Sequence, residues 1–357
     1  MADALALAQA AEPVPDNRSK AMITSRRTIH AFLMALVTLP MAGGLGATHA
    51  AEPLKVVMSS TPSFTWLPFL VAEKVTFGNL EKKIGRKISV TYAPTPSPAI
   101  LALLAGEQDI GIVYVQHAIK AQAEGKDLVV LAKLMKNPTM TLLARTDLPE
   151  IKTPADIKGR VFGVVGLGSG HHLVGFGIAK AYGIAPGDVT WRSTGGVSGW
   201  IPAMRSKRVD VMLASEPTAT TLVSEGVGRV LLDLHGVEDT KKVFNGVFPT
   251  VAIVVRREFI KAHPEVARAF VEANLEALKW IHSHKPAEVA AVLPESLRKR
   301  SDVDKVLANV IPAVSDDGEV PISSVTLTID LMKDIGELPK DLKLDPAKVI
   351  DTQFLPK

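Results

Sequence analysis

A chain of 357 residues that is 47% apolar and 22% charged carries enough apolar material for two or three packed domains. Its net charge of +4 is spread without long basic blocks, which argues against nucleic-acid binding. The chain has no cysteine, which excludes disulfides, thiolate metal sites, a cysteine nucleophile and a lipid-modified N-terminal cysteine.

Residues 1–21 show no periodic pattern that could pack. From Met22 the order changes: Ser25-Arg26-Arg27 is a basic segment, Ala31 to Leu39 an apolar one, and Thr48-His49-Ala50 offers small residues for a signal peptidase. Residues 1–50 therefore read as an upstream extension followed by a cleaved export signal of about residues 22–50. The apolar core is shorter than the ~20 residues that span a bilayer. The mature protein is expected to be soluble in the periplasm, and the Arg-Arg pair resembles a twin-arginine signal.

Leu54 to Met58 reads as a strand, followed by a polar and aromatic turn ending at Trp66 and a helix over residues 67–74. An aromatic at such a strand end either walls a ligand or packs on its own domain. Lys87 to Tyr92 is a second strand. Thr95-Pro96-Ser97-Pro98 caps the next helix, with Ser97 at the N-cap and Pro98 at N1. A third strand over residues 109–113 ends in Tyr114-Val115-Gln116, where Tyr114 and Gln116 offer directional hydrogen bonds. Val129 to Leu134 is a fourth strand. Residues 139–145 alternate like a strand crossing between two halves, as do residues 249–255, and two crossings make a hinge.

Between the crossings the pattern is strand, glycine turn, helix, twice over. Thr153 to Gly159 is a short helix closed by glycine, and Arg160 to Val165 an apolar run typical of a buried parallel strand. The turn Gly166-Leu167-Gly168-Ser169-Gly170-His171-His172 opens into a helix, whose unpaired N–H groups and dipole suit an anion or an oxygen-rich ligand. A strand over residues 188–192 leads to Gly195-Gly196-Val197-Ser198-Gly199 and a helix from Trp200. A strand over residues 209–214 stops at Ser215-Glu216-Pro217. Three polar strand ends, with Ser198 and Glu216 among them, thus face one edge of a sheet, where open α/β sheets bind ligands. Glu216 either pairs within its own half or meets an amino or ammonium group of a ligand. Beyond residue 255 the chain is helical, with Val266, Phe270, Ala273, Ala277 and Ile281 on one stripe.

The glycine turn lacks the Gly-Lys-Ser/Thr of a phosphate loop, and His171 stands where the dinucleotide fingerprint needs glycine. Leu167 and His171 occupy the glycine positions of a nucleophile elbow around Ser169. Adjacent His171 and His172 diverge by about 100° on a helix and do not share a metal. No catalytic residue, metal or cofactor is expected.

The order of these pieces resembles the nitrate/sulfonate/taurine-type solute-binding proteins of ABC importers. Residues 153–217 carry most of it, joined by Ala102 to Ile112, Ala118-Ile119 with Glu124-Gly125-Lys126-Asp127, Ala262-His263-Pro264-Glu265 and Asp351 to Leu355. The resemblance implies an α/β, two-lobed, periplasmic-binding-protein-like (type II) fold: lobe 1 from residues 51–145 and 248–357, lobe 2 from residues 146–247. It further implies a monomer that takes a small-molecule ligand to ABC permease membrane subunits, without catalysis. Its cleft would use Trp66, Ser97, Tyr114, Gln116, Gly168, Ser169, Gly170, His171, Ser198 and Glu216. Thiamine-pyrimidine synthases of the yeast type share the fold but depend on a cysteine-rich motif, which this chain lacks.

Overall fold

The structure, a computed structural model, describes residues 52–356; the extension and export signal expected over residues 1–50 lie outside them. Strands Leu54–Met58 (β1), Ile88–Tyr92 (β2), Ile110–Tyr114 (β3) and Leu128–Lys133 (β4) alternate with helices Leu67–Val75 (α1), Phe77–Ile84 (α2), Pro96–Leu104 (α3) and Val115–Ala123 (α4). Parallel strands cannot be joined by tight turns, so these helices carry the chain back to the same sheet edge. A second set follows: Met140–Arg145 (β5), Val161–Val164 (β6), Gly170–Ala181 (α5), Thr190–Ser193 (β7), Trp200–Arg205 (α6), Val211–Ser215 (β8), Thr218–Ser224 (α7), Gly228–Asp233 (β9) and Val237–Phe244 (α8). Val251–Arg256 (β10) returns to the first set. Helices Arg257–Ala262 (α9), Pro264–Ser283 (α10), Pro286–Ala291 (α11), Glu295–Arg298 (α12), Val303–Val310 (α13), Ile322–Asp334 (α14) and Pro346–Val349 (α15) complete the chain. Among the described residues no helix is long and apolar enough to cross a membrane.

The strands form two five-stranded mixed sheets, ordered β2-β1-β3-β10-β4 and β7-β6-β8-β5-β9. In each, the fourth strand runs antiparallel to both neighbours: β10 to β3 and β4, β5 to β8 and β9. The two stretches read as crossing strands therefore do not cross. Each is buried along almost its whole length and lies inside one sheet, because a buried strand needs ladder partners for its backbone groups. The crossings are the short segments before them, around residues 134–139 and 245–250. They run side by side, Leu134 N–H donating to Val251 O (2.7 Å) and Thr250 N–H to Met135 O (3.3 Å).

Fully buried β4, β5 and β8 account for the near-continuous apolar runs of the sequence. The α10 stripe is buried throughout and packs into the core of the first sheet. α14 packs against both α4 and α5, and its Val325 and Ile329 share one apolar cluster with Ile119 and Phe176. The chain end folds back: Phe354 is 2% exposed in the first core, and Ile350 bridges to Val130 of β4. One cap differs from expectation. Helix α3 starts at Pro96 with Thr95 at the N-cap, since the first of the two prolines already presets the helical φ. Ser97 consequently lies inside the first turn.

Candidate functional site

The carboxyl end of β3 in the first sheet, at Tyr114, meets the start of α5, which follows β6 in the second. On the first side β1 runs out at Met58 into Ser59, whose buried hydroxyl has no partner among the described residues. The following one-turn helix Phe64–Trp66 delivers Trp66, which is 4% exposed. Its ring tilts against that of Tyr114, at the end of β3, with centroids 5.6 Å apart. Burial pushes the Tyr114 phenol well above the usual tyrosine range, so it stays a neutral donor at ordinary pH. Gln116 lies in the first turn of α4 just beyond it.

The facing side is the glycine turn and the start of α5. A Cβ on Gly170 would stand 2.5 Å from Tyr114 Cε2 and 2.7 Å from its Cδ2. Only glycine lets the helix backbone rest on that ring. Ser169 is the N-cap, its Oγ accepting from His172 N–H at 3.2 Å. The N–H groups of Gly170 and His171, in the first turn, have no acceptor among the described residues.

The two histidines diverge as their spacing requires. His171 is buried, with Nε2 3.1 Å from Ser215 Oγ and its ring 5.1 Å from that of Trp200. Burial lowers its pKa to about 4, so the imidazole is neutral. His172 turns the other way, its Nδ1 accepting from Gly168 N–H at 3.0 Å while its ring meets Trp191 edge-on at 4.9 Å.

Glu216 follows β8 and is 4% exposed. Its carboxylate accepts from Thr220 N–H (3.1 Å), Thr220 Oγ1 (2.9 Å) and Asn309 Nδ2 (3.3 Å). The expected partner within its own half is thus Thr220 rather than a basic residue, and Asn309 adds a donor from an element remote in sequence.

Of the residues singled out by sequence, Trp66, Tyr114, Gln116, Gly170 and His171 come together, with Glu216 next in chain to Ser215. Ser97 and Ser198 are exposed and share none of these contacts. Gly168, with φ at +77°, faces away: a Cβ there would collide with Glu337, which pairs with Lys120 at 2.7 Å. Sequence reasoning missed Ser59, Trp200, Ser215 and Asn309. Trp200 and Ser215 sat at visible strand and helix ends, whereas Asn309 reaches the area from an element remote in sequence.

A small gap of about 10 Å³ remains beside Tyr114, Gln116, Gly170 and Thr250. A far larger recess, about 550 Å³, opens elsewhere, near Lys126, Asp127 and Lys348. Its Arg257 is already committed to Asp127 and Asp351. Among the described residues no group of three or more His, Cys, Asp or Glu side chains could hold a metal.

Residues 85–288 match the family described as NMT1/THI5 like. The chain is 24% identical over 214 residues to the 4-amino-5-hydroxymethyl-2-methylpyrimidine phosphate synthase of Schizosaccharomyces pombe, covering 58% of this chain and 59% of that relative's length. In structure it is similar to the periplasmic sulfonate-binding protein of Methylobacillus flagellatus KT, with a TM-score of 0.68 at 18% identity over 85% of this chain and 93% of that one. It is likewise similar to the periplasmic aliphatic sulphonate binding protein of Escherichia coli, with a TM-score of 0.67 at 20% identity over 84% and 97% of the two chains. With its two mixed sheets and their facing strand ends, the chain has the fold of the periplasmic binding proteins and belongs to the NMT1/THI5-like family.

Proposed function

We propose that this protein is an exported solute-binding protein of an ABC importer, which closes on a small polar organic ligand and delivers it to membrane permease subunits. Each sheet would be the centre of one lobe, with the lobe around β5 to β9 inserted into the other. The observation that carries this reading is the meeting of strand ends. Tyr114, with Trp66 packed on its ring, ends β3 against Gly170 at the α5 start, and the next residue, His171, reaches Ser215 at the end of β8. A ligand entering there would find aromatic walls, neutral hydrogen-bonding groups and the open N–H groups of Gly170 and His171 for an anionic end. Glu216 disfavours a bare inorganic anion and suits a ligand that also carries an ammonium or amino group. Zwitterions of the taurine kind and amino-substituted heteroaromatics meet both conditions.

A second reading, an enzyme on the same scaffold, draws on the synthase relative. The absence of cysteine stands against the cysteine-dependent version of that chemistry. One experiment addresses both. The protein is screened by thermal shift against nitrate, sulfonates, taurine, aromatic carboxylates and aminopyrimidines, since a ligand of the folded state raises its melting temperature. Any ligand found is then incubated at length and recovered for mass analysis. An unchanged ligand supports the carrier; a new product would establish the enzyme, and no shift with any compound would count against the cleft.

A further inference from the structure

Glu216 is anchored from both sides of the cleft. Thr220, from its own lobe, supplies a backbone and a hydroxyl donor at 3.1 and 2.9 Å; Asn309, 3.3 Å away, comes from the opposite lobe. Asn309 sits on α13, whose Val306, Leu307 and Val310 are buried in the core of the first sheet. The same helix packs on the one-turn helix that carries Trp66. Its position is therefore set by the first lobe and is independent of the turn after β8 that bears Glu216.

The electrostatics make this third donor matter. Glu216 is 4% exposed, and no Lys or Arg pairs with it among the described residues. Hydrogen-bond donors alone satisfy its carboxyl oxygens, and a buried carboxyl group is costly in proportion to each donor it lacks. When the lobes separate, Asn309 leaves and water must take its place. When they meet, the amide donates again and fixes the outer oxygen, Oε1, between Thr220 and Asn309.

We propose that Asn309 is a positioning residue that acts across the cleft: it holds the Glu216 carboxylate in its closed-state orientation and thereby favours closure. This rests on the two-lobed binding reading above, but its test needs no ligand. The absence of native cysteine permits clean labelling. Glu107→Cys on the first lobe and Ser224→Cys on the second, both at exposed positions, are spin-labelled in the full chain, and the distance distribution is measured by double electron–electron resonance.

Asn309→Ala is expected to shift the ligand-free distribution toward longer distances, and Glu216→Ala to do the same. The double variant should open no further than either single one, because both remove one interaction. Asn309→Asp is close to isosteric but sets a carboxylate against a carboxylate, so it should open more than Asn309→Ala. Adding Glu216→Gln should then restore closure by reversing donor and acceptor. A purely structural role for Asn309 would not produce that charge-dependent rescue. Distributions that match the parent in Asn309→Ala and Glu216→Ala, with melting temperatures retained, would overturn the proposal. So would an opening in Asn309→Asp that Glu216→Gln does not reverse. If Asn309→Asp fails to fold, the alanine cycle alone decides. Failure of the ligand screen with a positive distance result would refute the ligand classes tested and leave the latch standing; the reverse pattern would refute the latch and leave the carrier.

Discussion

Gly170 shows how one missing methyl group lets the start of α5 rest on the Tyr114 ring. A Cβ there would lie 2.5 Å from the Tyr114 ring, so Gly170→Ala is expected to cost ~1–3 kcal/mol, the usual range for overpacking. Adding Tyr114→Ala should recover part of that loss, which chemical denaturation of the single and double variants would measure. A second prediction concerns protons. His171 has a folded-state pKa of about 4, lowered by burial from 6.5, and His117 is lowered to about 4 by burial and by Lys120. The unfolded chain therefore takes up these protons first. Stability tied to both groups is full above pH 6.5 and declines as pH falls from 6.5 to about 4, by ~1.4 kcal/mol per unit of pKa depression. Denaturation midpoints across that window should fall less steeply in His171→Gln than in the parent; equal slopes would contradict the assignment. The sequence already pointed to Trp66, Tyr114, Gly170 and His171, because strand ends and glycine turns show in composition. Asn309 carried no such signal, since an asparagine on an amphipathic helix looks like any solvated position.

Among the elements, the chain end is the one whose role can be weighed most directly. Phe354 sits 2% exposed in the first core, with the Arg268 guanidinium 5.4 Å above its ring, and Ile350 bridges to β4. Phe354→Ala should cost ~3–5 kcal/mol as a buried aromatic deletion. If denaturation showed under 1 kcal/mol, the segment would be an ornament rather than part of the core. Most elements were legible from period and punctuation: the α10 stripe is buried as its spacing required, and β4 and β8 are the apolar runs. What could not be read was membership. Residues 140–145 and 251–256 have the composition of any buried strand, and only the ladder shows that β5 joins the second sheet and β10 the first. The helical start of α3 was displaced by two residues because two prolines in Thr95-Pro96-Ser97-Pro98 offer the same preset φ.

Across the whole molecule, the two sheets repeat one plan, with the fourth strand of each running against its neighbours. The chain leaves the first sheet and returns to it through segments bonded side by side, Thr250 N–H to Met135 O at 3.3 Å and Thr250 Oγ1 to Asn137 O at 3.5 Å. An insert whose entrance and exit touch could act as a module: if each sheet centres one lobe as proposed, residues 138–249 would form a cassette replaceable by the corresponding stretch of another family member without stretching the host chain. The apolar packing of α5 on α14, the pair of Lys180 with Asp334 at 2.6 Å and the glycine turn beneath Glu337 are among the contacts such a graft must keep. A chimera that preserves them should fold cooperatively and show a ligand preference changed toward the donor at the groups around Ser215 and Glu216, while the Trp66 and Tyr114 wall stays that of the host. If ligand binds between the sheets as proposed, recombination at this seam would let a lineage alter half of its recognition surface in one event.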